Sequence, residues 1–266
     1  VEHQFGAGTT LSAGYQYLQG EHLIVSVNQN VPTCAAAGTN NGCRPVSAYA
    51  NNSQYSSTAS STYHALLLSF VQRPVSWGSV RVSYTLSKAM NNVGEFFFSA
   101  PIDPSDLSKD WGRSDDDQRH RLVVSGTVQT SMAPARSMAE RLWHGYQLSA
   151  TVRAYSALPF NITSGVTTLQ GTAGRPTVSG AFIERNAGEG PDFFTLNLRA
   201  SRTFALGSTR VEAMAEVFNL TNRQNVVTVN GTFGAGAYPA SPSATFGQAT
   251  SVGDSRSAQI GFRVRF

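Results

Sequence analysis

Apolar and polar residues alternate one for one in a series of segments that runs from near the first residue to the last. A period of two is the signature of a strand with one apolar and one polar face. Residues 79–90 set Val80, Val82, Tyr84 and Leu86 against Arg81, Ser83, Thr85 and Ser87; residues 120–130 set Leu122, Val124, Gly126 and Val128 against Val123, Ser125, Thr127 and Gln129. Residues 146–155 oppose Leu148, Ala150 and Val152 to Gln147, Ser149, Thr151 and Arg153. The closing residues 257–266 oppose Ile260, Phe262, Val264 and Phe266 to Gln259, Gly261, Arg263 and Arg265. The same reading covers 9–20 (apolar Leu11, Ala13, Tyr15, Tyr17), 63–72 (apolar Leu66, Leu68, Phe70), 193–206 (polar Thr195, Asn197, Arg199, Ser201) and 209–220 (polar Arg210, Glu212, Glu216). The pattern predicts about eight antiparallel strands of roughly 10 to 15 residues each.

Such lengths suit tilted membrane strands, which need about 9 to 11 residues, and are long for a soluble sandwich. A sandwich shares the alternation itself, so the connections must decide. They alternate. Long stretches follow the first, third, fifth and seventh segments, while "RPVSWG", residues 131–145 and "LGS" follow the second, fourth and sixth. Long loops outside and shorter turns on the periplasmic side are the habit of outer-membrane barrels. The expectation is an all-β, antiparallel transmembrane β-barrel wall, a single unit over 1–266, whose last strand ends at the periplasmic rim with Phe266. A bare terminal strand fits a closed barrel, where it pairs with the first.

Composition agrees. Charged residues make up 14% of the chain, against about 25% in soluble domains. No apolar run approaches the roughly 18 residues of a membrane helix. The net charge of +4 comes from scattered arginines rather than one patch, which argues against nucleic-acid binding. Cys34 and Cys43 enclose the short Gly/Asn-containing loop "CAAAGTNNGC" with no histidine nearby, so a disulfide in an oxidising compartment is expected rather than a metal site. The start, "VEHQFGAG", has neither an initiator Met nor a signal segment, and processing or truncation is expected to have removed the true beginning.

Catalytic chemistry finds little support. "SDDDQRHR", residues 114–121, is the densest charged cluster, but three adjacent Asp cannot share one face of a strand. It is read as an extracellular strand end, with Arg119 and Arg121 pairing on the lumen side; the order of a calcium loop is missing. No G-x-S-x-G elbow occurs, and the histidines stand apart at 3, 22, 64, 120 and 144. The chain is read as non-enzymatic and without a cofactor. Arg81, Arg153, Arg199, Glu212 and Glu216 are the lumen-facing candidates, as a salt-bridge ladder or as guides for a solute. In "EVFNLTNRQN" the asparagines 219, 222 and 225 are expected to bond backbone in a turn, with sugar binding as the sharper alternative.

"YQYLQGEHL", "YHALLLSFVQRPVSWGSVRVSYTLSKAMNN", "SDDDQRHRLVVSG", "NLRASRTFAL", "EVFNLTNRQN", "TFGQAT" and "QIGFRVRF", in that order, resemble the C-terminal barrel portion of TonB-dependent receptor-like outer-membrane proteins, especially the large Oar-like proteins. The resemblance spans nearly the whole chain. It implies a barrel of about 22 strands, of which this chain supplies the last eight or so, with a plug domain and a TonB-contacting segment elsewhere in the protein. Around "TSGVTTLQGTAGRPTVSG" the chain departs from relatives rich in "NGD" and "NDRP"; only Arg175 and Pro176 match. The ending resembles the C-terminal pattern read by the barrel assembly machinery, which would make Phe262, Val264 and Phe266 an assembly signal. The implied function is import of a bulky solute across the bacterial outer membrane, in contact with outer-membrane lipid and the TonB complex. The alternative is a free-standing small outer-membrane barrel with a structural or adhesive role through its long loops.

Overall fold

Each alternating segment forms a strand in the computed structural model, which describes residues 1–6, 8–34, 41–94, 100–131, 137–168 and 172–266. Nine strands build one antiparallel wall in sequence order: β1 (Glu2–Phe5), β2 (Thr9–Asn28), β3 (Ser53–Val75), β4 (Gly78–Asn91), β5 (His120–Gln129), β6 (Tyr146–Tyr155), β7 (Phe193–Leu206), β8 (Thr209–Phe218) and β9 (Ser257–Arg265). Residues Gly112–Arg113 add a two-residue pairing to the upper end of β4. The short β1 lies outside the predicted set; at four residues it offers too little alternation to read from sequence.

Register turns the alternation into two continuous faces. Leu11, Phe70, Val82, Val124, Val152 and Leu196 are successive cross-strand partners on one face. One residue along, Val71, Arg81, Ser125, Thr151 and Asn197 line up on the other. A one-residue slip in any pair would put arginine among the leucines, so the apolar face itself fixes register. The apolar face remains uncovered: Leu148, Val128, Ile260 and Phe262 are exposed. In the outer membrane that exposure is contact with lipid, and the opposite face looks inward.

The ends differ as the loops predict. The turn residues 6 and 8, 76–77 and 207–208 lie on one rim, together with residues 130–131 and 137–145, the latter carrying the short helix α1 (Met138–Trp143). Gly78 has φ +151°, and a Cβ on it would come 1.9 Å from the Thr127 carbonyl oxygen, so only glycine allows β4 to start against β5 there. The described residues of the long segments, 29–34, 41–52, 92–94, 100–119, 156–168, 172–192 and 219–256, gather on the opposite, extracellular rim.

β2 and β3 run to 20 and 23 residues, well past the predicted segments and past the roughly 9 to 11 needed to cross a bilayer. The register shifts between Gly20 and Leu23, where His22 takes φ 56°. A bulge of this kind breaks the two-residue period, which hides the rest of the strand from a reading of alternation. Beyond it Val25, Val27 and Ala59 turn into a small buried cluster with Val93, against which Leu107 packs. The hairpin thus stands above the membrane and seats the neighbouring loop.

Candidate functional site

The site has two parts, the inner face of the wall and the loop cluster that roofs its extracellular end. On the inner face β7, β8 and β9 bring Arg199, Glu212, Glu216 and Arg263 together because all four occupy inward positions of adjacent strands. Arg199 contacts Glu212 at 3.0 Å and Glu216 at 3.5 Å, Arg263 reaches Glu212 at 3.6 Å, and Gln259 donates to Glu216. Alternating signs across the rungs make this a ladder in which the charges compensate one another. Arg81 and Arg153 also occupy inward positions, beside Ser125 and Val123. Neither has an ion pair among the described residues. Arg81 lines an open trough of about 650 Å³ with Glu2, Arg73, Ser125 and Thr151.

The acidic cluster lies just before β5, at the extracellular end of the wall. Asp117 is buried, and its carboxylate accepts from the Ala89 N–H at 2.7 Å and pairs with Arg113 Nε at 2.8 Å. Asp115 accepts from the Asn186 amide at 2.6 Å. Arg121 stacks over the ring of its cross-strand neighbour Tyr155 at 4.7 Å. The partner of Asp117 is thus Arg113, four residues upstream in the short pairing against β4, while Arg121 lies inside β5 on its inner face. Among the described residues no group of acidic, His or Cys side chains is placed to hold a metal ion.

Deeper in the same roof lies a pair that sequence reasoning missed. Arg175 and Asp110 meet at 3.2 Å with both side chains nearly out of solvent. Asp110 also accepts from the Ile102 N–H at 2.7 Å, and Arg175 donates to the Lys109 carbonyl at 2.6 Å. Arg185 donates to Asn91 and, at 3.1 Å, to the Arg113 carbonyl. Burial pushes the Asp110 carboxyl above its ordinary range and the Arg175 guanidinium below its own, so desolvation outweighs pairing on both partners. Nε and Nη1 of Arg175 and Nε of Arg185 are buried without a hydrogen-bond partner among the described residues. Around them is a cavity of about 160 Å³. The signal was present in "GRP", where Arg175 precedes a proline, but its partner lies 65 positions away in another loop. By contrast the half-buried Asp103 carboxyl is held down to about 2, chiefly by hydrogen bonds from Lys109 and Ser105.

Other loops are tied down by backbone bonding. Cys34 and Cys43 form a disulfide; the loop tip between them, 35–40, lies outside the described residues. A closed loop of this length contributes about 2 to 3 kcal/mol to local order. Beside it the buried Asn30 amide donates to the Val46, Tyr49 and Ala50 carbonyls. Asn219 and Asn222 take left-handed φ values of 47° and 52°, and Asn219 and Asn225 are buried. The Asn225 side chain both donates to and accepts from the Phe194 backbone at 2.9 Å, and the Asn219 amide donates to the Arg223 and Asp254 carbonyls. The side chains of Asn219 and Asn225 are thus bonded to the chain's own backbone in a turn.

A family model described as an outer membrane beta barrel domain matches residues 1–182 and 177–259. No characterised protein matches the chain by sequence. Among solved structures, the outer membrane transporter YddB from Escherichia coli superposes with a TM-score of 0.54 at 12% identity, over 86% of this chain and 28% of that one. At that identity the likeness is one of fold. The chain spans little more than a quarter of the transporter's length.

Proposed function

The chain belongs to the outer membrane beta barrel domain family, and from that premise we propose that it is wall of a TonB-dependent receptor importing a bulky solute. The observation that carries this reading is the open sheet. Among the described residues β1 pairs only with β2 and β9 only with β8, and β1 and β9 are not joined. Backbone groups left unpaired in lipid cost several kcal/mol each, so the edges call for further strands. A wall of about 22 strands encloses a lumen wide enough to need a plug. The coverage of the YddB superposition fits a segment of a barrel that large. A free-standing barrel of about eight strands would instead join its first strand to its last. The inward Arg81 and Arg153, outside the ladder, favour a solute carrying anionic groups.

Uptake profiling tests the reading. Cells lacking the protein, and cells lacking the TonB energy coupler, are expected to leave the same bulky compounds unconsumed. Uptake of those compounds that persists without the coupler would refute TonB dependence, and an unchanged profile without the protein would refute transport.

The aromatic ending belongs to the same proposal. Phe262 and Phe266 face outward on β9 and its terminus, where the barrel assembly machinery would read them along with Val264. Deleting Phe266 from the native protein is expected to lower its amount in the outer membrane and leave unfolded protein in the periplasm, measured by heat-modifiable gel mobility. Insertion at the unaltered level would reduce Phe266 to an ordinary lipid-facing aromatic.

A further inference from the structure

We propose that the periplasmic segment around α1 seats a phospholipid of the inner leaflet, with an acyl chain against Leu142, Trp143 and Tyr146 and the phosphate near Arg202. The first observation is the exposure of the segment. Leu142 and Trp143 are 68% and 76% exposed, although they are the two most apolar positions at the end of the helix. With Thr130 and Tyr146 they line an open groove of about 310 Å³.

The second observation says what covers it. Tyr146 heads the outward row of β6 that continues through Leu148, Ala150 and Val152, so the groove is an extension of the lipid-facing surface rather than an isolated patch. It lies on the rim of the tight turns, at the depth where aromatic residues meet headgroups. A third observation concerns charge. Arg202 occupies an outward position of β7, directly across from Tyr146 and Ala213. It stands among lipid-facing residues, sandwiched by the Tyr146 ring at 4.6 Å and the Phe204 ring at 4.9 Å. Its Nη1 donates to the Tyr146 hydroxyl at 3.0 Å and its Nε to the His144 carbonyl at 3.3 Å, which directs the guanidinium toward the rim. A guanidinium on this face is stable at headgroup depth, where phosphate is the counter-charge a bilayer supplies. Gly145, at φ 74°, brings the backbone so close to β7 that a Cβ would come 2.4 Å from the Thr203 carbonyl oxygen, holding the exit of α1 beside Arg202.

The test places a nitroxide label on Leu142→Cys in the native protein reconstituted in phospholipid bilayers, with Ser208→Cys in a tight turn as the aqueous reference. Cys34 and Cys43 are already bonded to each other and do not take the label. The label at 142 is expected to collide freely with oxygen and several-fold less with a water-soluble nickel chelate than the label at 208, at a depth of about 5 to 10 Å below the phosphates. Nickel collisions equal to those at 208 would place the segment in water and overturn the proposal. Protection from both reagents would mean that protein covers the groove, which overturns it equally. In parallel, native mass spectrometry after mild delipidation is expected to show retained phospholipid that is lost in Arg202→Gln and kept in Arg202→Lys. Retention unchanged in Arg202→Gln would remove the phosphate contact.

Discussion

Replacing Val124 with arginine is expected to destabilise the inserted barrel by roughly 2 to 4 kcal/mol, whereas a charge at the next residue costs far less. Val124 lies near the middle of β5, between Val82 and Val152 on the lipid face. Ser125 faces inward between Arg81 and Thr151. Its neighbour decides the right comparison. Ser125→Arg would set two like charges directly across a strand pair and add a modest penalty of its own, while Ser125→Glu would face Arg81 as an opposite-charge pair worth roughly 0.2 to 1 kcal/mol. The expected order of stability is therefore Ser125→Glu highest, Ser125→Arg lower and Val124→Arg lowest, read by denaturant titration in lipid vesicles. Equal effects at 124 and 125, or a reversed order, would refute the face assignment.

A loss of about 3 to 5 kcal/mol is expected when Asp110 is replaced by alanine, because Arg175 would then keep its charge in a buried site with no carboxylate beside it. Desolvation already works against both partners, and two Arg175 nitrogens find no acceptor among the described residues. The pair is therefore costly to break and of little net value whole. Replacing both by apolar residues of similar size, Asp110→Leu with Arg175→Met, is expected to restore stability to near the unaltered level or above it. Since the pair lies in the extracellular roof and the wall is held by its own ladder of backbone bonds, the effect should be local. Hydrogen exchange of residues 100–119 and 172–190 should accelerate in Asp110→Ala while β5 to β8 stay protected. A double variant as impaired as the single one would show that the ion pair itself, not the uncompensated charge, holds the roof together.

Much of the wall follows from the chain alone. Eight of its nine strands are legible because one side of each must meet lipid and the other an aqueous lumen, and a period of two satisfies both. The inward positions of Arg81, Arg153, Arg199, Glu212 and Glu216 come from the same parity, and the alternation of long and short connections assigns the rims. The disulfide is legible too, since two cysteines enclosing a short loop have few other partners. Tertiary structure alone decides what depends on non-local pairing. The extension of β2 past Gly20 is hidden by a bulge that shifts the parity. Asp110 is matched to Arg175 across two loops, and Arg113 takes Asp117. Parity already puts Arg202, three residues after Arg199, on the outward face; only the register sets it across from Tyr146, beside a helix whose apolar residues are exposed. Alternation is a local consequence of two solvents acting on one strand, so each segment records it independently. Which charges meet depends on how distant loops fold over the wall, and no single segment carries that information.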